Sequence, residues 1–265
     1  MRLPHAALLT LPFVLTPAAG QPPRTPPTPS APRIVVALPF AVTAGQPARL
    51  TLRGLKLDAL TEARCGDPKG SVKLLGKGTK AGGYDPMKVP VGLTGDTQVE
   101  VEVSLPTGFP ARTVPVTVRS ADGESPAYTL IVNDDTPRVA EKEPNDGFRQ
   151  AQPVPLPAVV EGSIRQPQDV DVYRFEGKAG QRVVAEVLAA RFGSPVDSFL
   201  TLYDARGHVL AANDDHDGSA DSRVEVTLPA AGGYYISVTD AHDQGGPAHA
   251  YRLLLQARPS AAVPR

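Results

Sequence analysis

The chain has 265 residues, a formal net charge of −1, one cysteine and no tryptophan. Twenty-nine prolines and 24 glycines work against long helices and favour short strands joined by turns. The near-zero charge argues against nucleic acid as a partner, because phosphate binding needs a basic surface. A single cysteine, Cys65, excludes an intrachain disulfide framework and any zinc cluster built on several cysteines.

Residues 1–20 read as a secretory signal peptide. Arg2 precedes the apolar run Ala6 to Leu15, and Thr16-Pro17-Ala18-Ala19-Gly20 supplies small residues for cleavage. The run is too short to cross a bilayer, and no later segment is longer and as apolar. The expected destination is secreted, extracellular or periplasmic. Residues 21–33 follow as a Pro-rich linker, with Pro22, Pro23, Pro26, Pro27, Pro29 and Pro32, a composition that stays extended and builds no core.

Residues 34–133 read as a first β-sandwich. Ile34 to Leu38 is a short apolar strand, and Arg49 to Gly54 alternates with period two. So does Gln98-Val99-Glu100-Val101-Glu102-Val103, which places three valines on one face. Val114 to Val118 and Tyr128 to Val132 give two more strands. The segment Gln46 to Leu57 resembles the opening of bacterial IPT/TIG-type immunoglobulin-like domains, which implies an immunoglobulin-like sandwich.

Residues 134–140 read as a hinge, with Asn133-Asp134-Asp135-Thr136-Pro137 rich in turn formers. A second all-β sandwich is expected over 141–258, with a tail at 259–265. Its strands are Val170 to Phe175, Arg182 to Leu188, Phe199 to Tyr203, His208 to Ala212, Arg223 to Leu228, Tyr234 to Val238 and Tyr251 to Gln256. Asp204-Ala205-Arg206-Gly207 is a hairpin turn in which Gly207 is free to take positive φ.

Two acidic segments carry the chemistry. In Glu141-Lys142-Glu143-Pro144-Asn145-Asp146, Pro144 biases Glu143 towards an extended conformation. Residues two apart then share a side, so Glu141, Glu143 and Asn145 project together with Asp146 just beyond. In Asp169-Val170-Asp171-Val172-Tyr173-Arg174-Phe175, Asp169 and Asp171 share a face with Tyr173 and Phe175. Clustered carboxylates repel one another unless a cation sits among them. Calcium suits such a set, since it takes six to eight oxygens in irregular geometry; neither segment offers the His or Cys that zinc prefers. The alternative is two solvated acidic edges that never meet.

The second half of the chain resembles the bacterial pre-peptidase C-terminal domain family. The resemblance is carried by Glu143-Pro144-Asn145-Asp146-Gly147, Asp169 to Phe175, Asp197 to Asp204, Gly207 to Asp215, Gly233 to Val238 and the strand Tyr251 to Leu255. It implies a jelly-roll-like β-sandwich without catalytic activity, with calcium held at Glu141, Glu143, Asn145 and Asp146. Asp169 and Asp171 would lend the second acidic strand. It also implies an aromatic ligand surface in some collagenase members, but the absence of tryptophan argues against a close copy, and Tyr234 and Tyr235 read as sheet residues.

Asn213-x-Asp215-x-Asp217-Gly218 opens like a calcium loop. Its twelfth position is Val224 rather than an acid and no helix flanks it, so it reads as a polar hairpin loop. No metalloprotease, nucleophile-elbow or phosphate-loop motif is present. His242 and His249, close in sequence to Asp243 and Asp240, are the nearest approach to an acid–base pair, but they read as solvated loop residues. The expectation is a secreted, monomeric, non-catalytic, calcium-stabilised binding module. Its partner would be an extracellular or cell-envelope polymer or protein. A hydrolase with an interdomain site and a purely structural spacer are the alternatives.

Overall fold

The computed structural model describes residues 30–82 and 91–258; the expectations for 1–20, for most of the linker and for the tail lie outside the described residues. The first sandwich contains β1 (Arg33–Leu38), β2 (Ala41–Val42), β3 (Ala48–Leu55), β4 (Leu60–Cys65), β5 (Ser71–Leu74), β6 (Thr79–Lys80), β7 (Thr97–Ser104), β8 (Thr113–Ser120), β9 (Gly123–Glu124) and β10 (Tyr128–Val132). One sheet runs β1-β3-β7-β5, with β6 beside β7. The other runs β2-β10-β8-β4, with β9 beside β8. Val99, Val101 and Val103 of β7 face Val114, Val116 and Val118 of β8 across one core, while Glu100 and Glu102 point away. This is the outcome of period-two patterning on sheets with one buried face.

The second sandwich contains β11 (Arg138–Ala140), β12 (Gln152–Pro153), β13 (Ala158–Ser163), β14 (Val170–Gly177), β15 (Arg182–Leu188), β16 (Ser198–Tyr203), β17 (Val209–Asn213), β18 (Arg223–Thr227), β19 (Gly232–Asp240) and β20 (Ala250–Arg258). Its sheets run β11-β13-β20-β15-β18 and β12-β14-β19-β16-β17. Tyr173, Phe175, Leu200, Leu202, Ile236, Val238, Tyr251, Leu253 and Leu255 fill the space between them. The segment read as a hinge includes β11, which pairs in parallel with β13. Further along the same arm, β12 pairs in parallel with β14. One stretch of chain, 138–153, is thereby fastened to both sheets, and this positions the acidic residues between them.

The Asp204–Gly207 turn closes the β16–β17 hairpin, with Gly207 at φ +83°. Asp204 Oδ1 accepts the N–H groups of Arg206 and His208, which fixes the turn locally.

The two sandwiches meet along a seam. A β-bulge between Ile34 and Val36 marks β1 there. The Phe40 and Phe192 rings lie 6.3 Å apart, and Tyr128 donates its O–H to the Phe192 carbonyl at 2.7 Å. Arg252 donates to Asn133 Oδ1 at 2.8 Å. Gly193, in the left-handed region at φ +80°, packs so closely that a Cβ would lie 1.8 Å from the Val35 carbonyl oxygen.

Candidate metal centre

The arm after β11 runs along β13 through the Glu141 N–H to Glu161 carbonyl bond. Glu141 turns its carboxylate inward, and Oε2 accepts the Ser163 N–H at 2.6 Å. Two residues on, Glu143 Oε2 accepts the Asn145 N–H at 3.0 Å, closing a local turn. The Asn145 carbonyl then accepts the Val172 N–H at 2.9 Å, tying the arm to β14. Asp171 enters from β14, completely buried, and its Oδ2 accepts the Tyr251 O–H at 2.6 Å. Tyr173 is hydrogen-bonded to Tyr251 at 2.6 Å, so a two-tyrosine relay backs the carboxylate from inside the core.

Three carboxylates therefore converge. One oxygen each from Glu141, Glu143 and Asp171 lies within 4.8 Å of the others. That is about twice a calcium–oxygen distance, the largest separation that ligands of one ion can have. Glu141 Oε1, Asp171 Oδ1 and the whole Asn145 amide are buried without a hydrogen-bond partner. Buried polar atoms are rarely left unpaired, because desolvation without a partner costs about 1–3 kcal/mol each. The Arg165 guanidinium stands 3.6 Å from Glu141 and 3.9 Å from Glu143, but its side chain is half exposed and offers only screened compensation.

The electrostatics record the same imbalance. Burial pushes the Asp171 carboxyl up to about 8; the Tyr251 hydrogen bond opposes the shift, and the nearby Glu141, Asp169 and Glu143 charges add to it. Burial raises Glu141 to about 7 against the pull of the Ser163 N–H and Arg165. Burial likewise holds both relay tyrosines above the ordinary phenol value. The unpaired oxygens of Glu141 and Asp171 are sealed from water. A hard, oxygen-seeking divalent ion fits the carboxylate set of Glu141, Glu143 and Asp171, and Asn145, on the same arm, carries a buried, unpartnered side-chain oxygen.

The remaining expected residues lie elsewhere. Asp169 is buried, and its Oδ2 accepts the Arg165 N–H at 2.6 Å, closing the loop before β14. Asp146 is exposed and borders a depression on the opposite face of the β14 sheet. Residues that sequence reasoning missed are Tyr251, Ser163 and Arg165. Tyr251 was placed on a strand but its bond to Asp171 spans 80 residues, which no local pattern reveals.

Other acidic groups have structural work. Asp221, nearly inaccessible, accepts the N–H groups of Ala189, Ala190 and Arg191 and pairs with the Arg191 guanidinium at 2.7 Å, capping the 3-10 turn at Ala190–Phe192. In the loop after β17, Asn213 Oδ1 accepts the Arg223 N–H, and a bridge joins His216 to Ser219. His242 is paired with Asp197 at 3.3 Å rather than with Asp243. Cys65 is free and half-buried at the end of β4.

The molecule is thus of a recognisable class: an all-β protein of two sandwiches, the second closed by an arm that carries a partly buried acidic cluster. Residues 169–240, which lie within the second sandwich, match the family described as bacterial pre-peptidase C-terminal domain. A probable subtilase-type serine protease of Deinococcus radiodurans is 41% identical over 103 residues, which are 38% of this chain and 14% of that protein's length. Among solved structures, the pre-peptidase C-terminal domain of a Bacillus anthracis collagenase aligns over 47% of this chain and all of its own, at 15% identity and a TM-score of 0.28. The periplasmic inhibitor of g-type lysozyme from Aeromonas hydrophila covers 48% and 100% respectively, at 19% identity and a TM-score of 0.31.

Proposed function

We propose that this chain is a secreted, non-catalytic accessory module of the peptidase-associated type, and that calcium locks its arm to the second sandwich. It acts at the cell envelope or on an extracellular polymer. The observation that carries the calcium reading is the pair of unpaired, buried oxygens on Glu141 and Asp171 where three carboxylates converge, with the buried, unpartnered Asn145 side chain on the same arm. Arm and strand reach this point from different parts of the chain, so an ion shared between them is a cross-link. Binding only the folded form stabilises it by mass action, about 2.7 kcal/mol at a hundredfold excess over Kd.

The test is titration calorimetry with calcium, joined to thermal unfolding with and without a chelator. Calcium is expected to bind and to raise Tm by several degrees, and Asp171→Asn is expected to abolish both effects. Absence of binding at millimolar calcium would sink the proposal. Extracellular action is supported by the family of the second sandwich and by its protease relative.

A further inference from the structure

The outward positions of β14, β16 and β19 form a surface with no assigned role. Strand register sets Phe199 opposite Thr239, Thr201 opposite Ser237 and Tyr203 opposite Tyr235. The arm lays Phe148 over one end. Its ring stacks on Tyr235 at 4.6 Å and meets Tyr203 edge-on at 5.1 Å. Phe148 remains 42% exposed and Phe199, at the other end, 37% exposed. Between them lies a depression of about 420 Å³. Phe199 and Tyr203 are four residues apart on one strand, about 13 Å at the usual rise.

The floor of this depression is mixed, with Val170 and Val172 beside Thr201, Ser237 and Thr239. Thr201 and Ser237 are more than nine-tenths buried, yet among the described residues no hydrogen bond occupies their hydroxyls. Asp146 is the one charged side chain among the lining residues. Aromatic rings at both ends, free hydroxyls between them and a single carboxylate at the rim suit a neutral, polyhydroxylated chain. Its C–H faces lie on the rings, and its hydroxyl groups exchange hydrogen bonds with Thr201, Ser237 and Asp146. An acidic polymer would find no basic partner here. An extended peptide pairs with a sheet edge through main-chain groups, whereas this is a sheet face.

We propose that this face binds a neutral oligosaccharide segment of an extracellular polymer. The proposal rests on the binding-module reading above and names its ligand class. Phe148 follows Asn145 by three residues, so the arm that carries the acidic pocket also sets one wall of the groove.

Affinity electrophoresis through gels containing a soluble neutral β-glucan or a xylan tests it on the full chain, with calcium and with chelator. The wild-type chain is expected to be retarded by a neutral glycan. Phe148→Ala and Phe199→Ala are each expected to weaken that affinity at least tenfold while keeping the circular dichroism spectrum and the calcium-induced rise in Tm. The inference is overturned if no neutral glycan retards the wild type, if both variants migrate as the wild type does, or if gelatin replaces glycan as the retained polymer. Glycan retention with no calcium-induced rise in Tm upholds the groove and removes the calcium reading; a calcium-induced rise without glycan retention removes the groove alone.

Discussion

Asp171 and Glu141 are the residues whose chemistry is furthest from that of free side chains. Their carboxyls sit at about 8 and about 7 because burial disfavours the charged form. In the metal-free protein, the folded state therefore keeps protons that the unfolded chain has already released near pH 4. The protonated carboxyls give the folded state its advantage at low pH, and this is lost as pH rises through about 7 and 8. On the calcium proposal a divalent ion replaces those protons, so the gain from calcium would widen over the same interval. Burial also holds His249 below the usual imidazole value, which acts in the opposite sense on acidification but cancels between the two curves. Melting curves with calcium and with chelator are expected to diverge from pH 5.5 to 8; a gap independent of pH would refute the assignment. At this scale much of the pocket was legible. Alternation in an extended chain put Glu141 beside Glu143 and set Asp171 on the face of Tyr173. It failed at Asp146, where the chain leaves the extended conformation and turns to the other side of the sheet. It was silent on the burial of Asn145, which depends on strands that the arm has yet to meet.

Among elements, the strands read correctly were those with clean alternation or long apolar runs, such as β7, β8, β14 and β20. Those missed were of two kinds. β2, β6, β9, β11 and β12 are two or three residues long and exist because a longer neighbour offers them hydrogen bonds. β4, β5 and β13 are longer, but Leu-Thr-Glu-Ala-Arg-Cys, Ser-Val-Lys-Leu and Ala-Val-Val-Glu-Gly-Ser mix charge or glycine into the pattern. The glycine in β13 has a reason visible only in the folded chain. A Cβ on Gly162 would lie 2.6 Å from the Tyr251 ring and hydroxyl and 3.0 Å from Glu141 Oε2. Gly162→Ala must displace Tyr251 from Asp171. It is expected to cost about 1–3 kcal/mol in urea denaturation, as overpacking does, and to weaken calcium binding at the same time. An unchanged calcium isotherm would show that the tyrosine relay does not position Asp171.

For the whole molecule, the seam decides whether the two sandwiches act as one body. Its contacts include Phe40 with Phe192, Tyr128 with the Phe192 carbonyl, Arg252 with Asn133, and the Gly193 approach to Val35. Burial pushes the Tyr128 hydroxyl up to about 12, in keeping with a phenol enclosed at this junction. Combining Phe192→Ala with Asn133→Ala is expected to enlarge the radius of gyration in small-angle scattering while leaving the β-sheet circular dichroism intact. An unchanged radius would assign the fixed geometry to the connecting segment instead. None of these contacts had a sequence signature, because each joins residues that belong to different repeating patterns.

The parallel attachments of β11 to β13 and of β12 to β14 carry a colloidal consequence. Without the arm, β13 and β14 would be the outermost strands of their sheets, each presenting open N–H and C=O groups to any passing chain. The arm caps both margins at once, and on the calcium proposal the acidic pocket is its rivet. Withdrawing the proposed ion would then bare two sticky borders together, so light scattering from a warm, chelated solution is expected to climb well before the cores themselves melt.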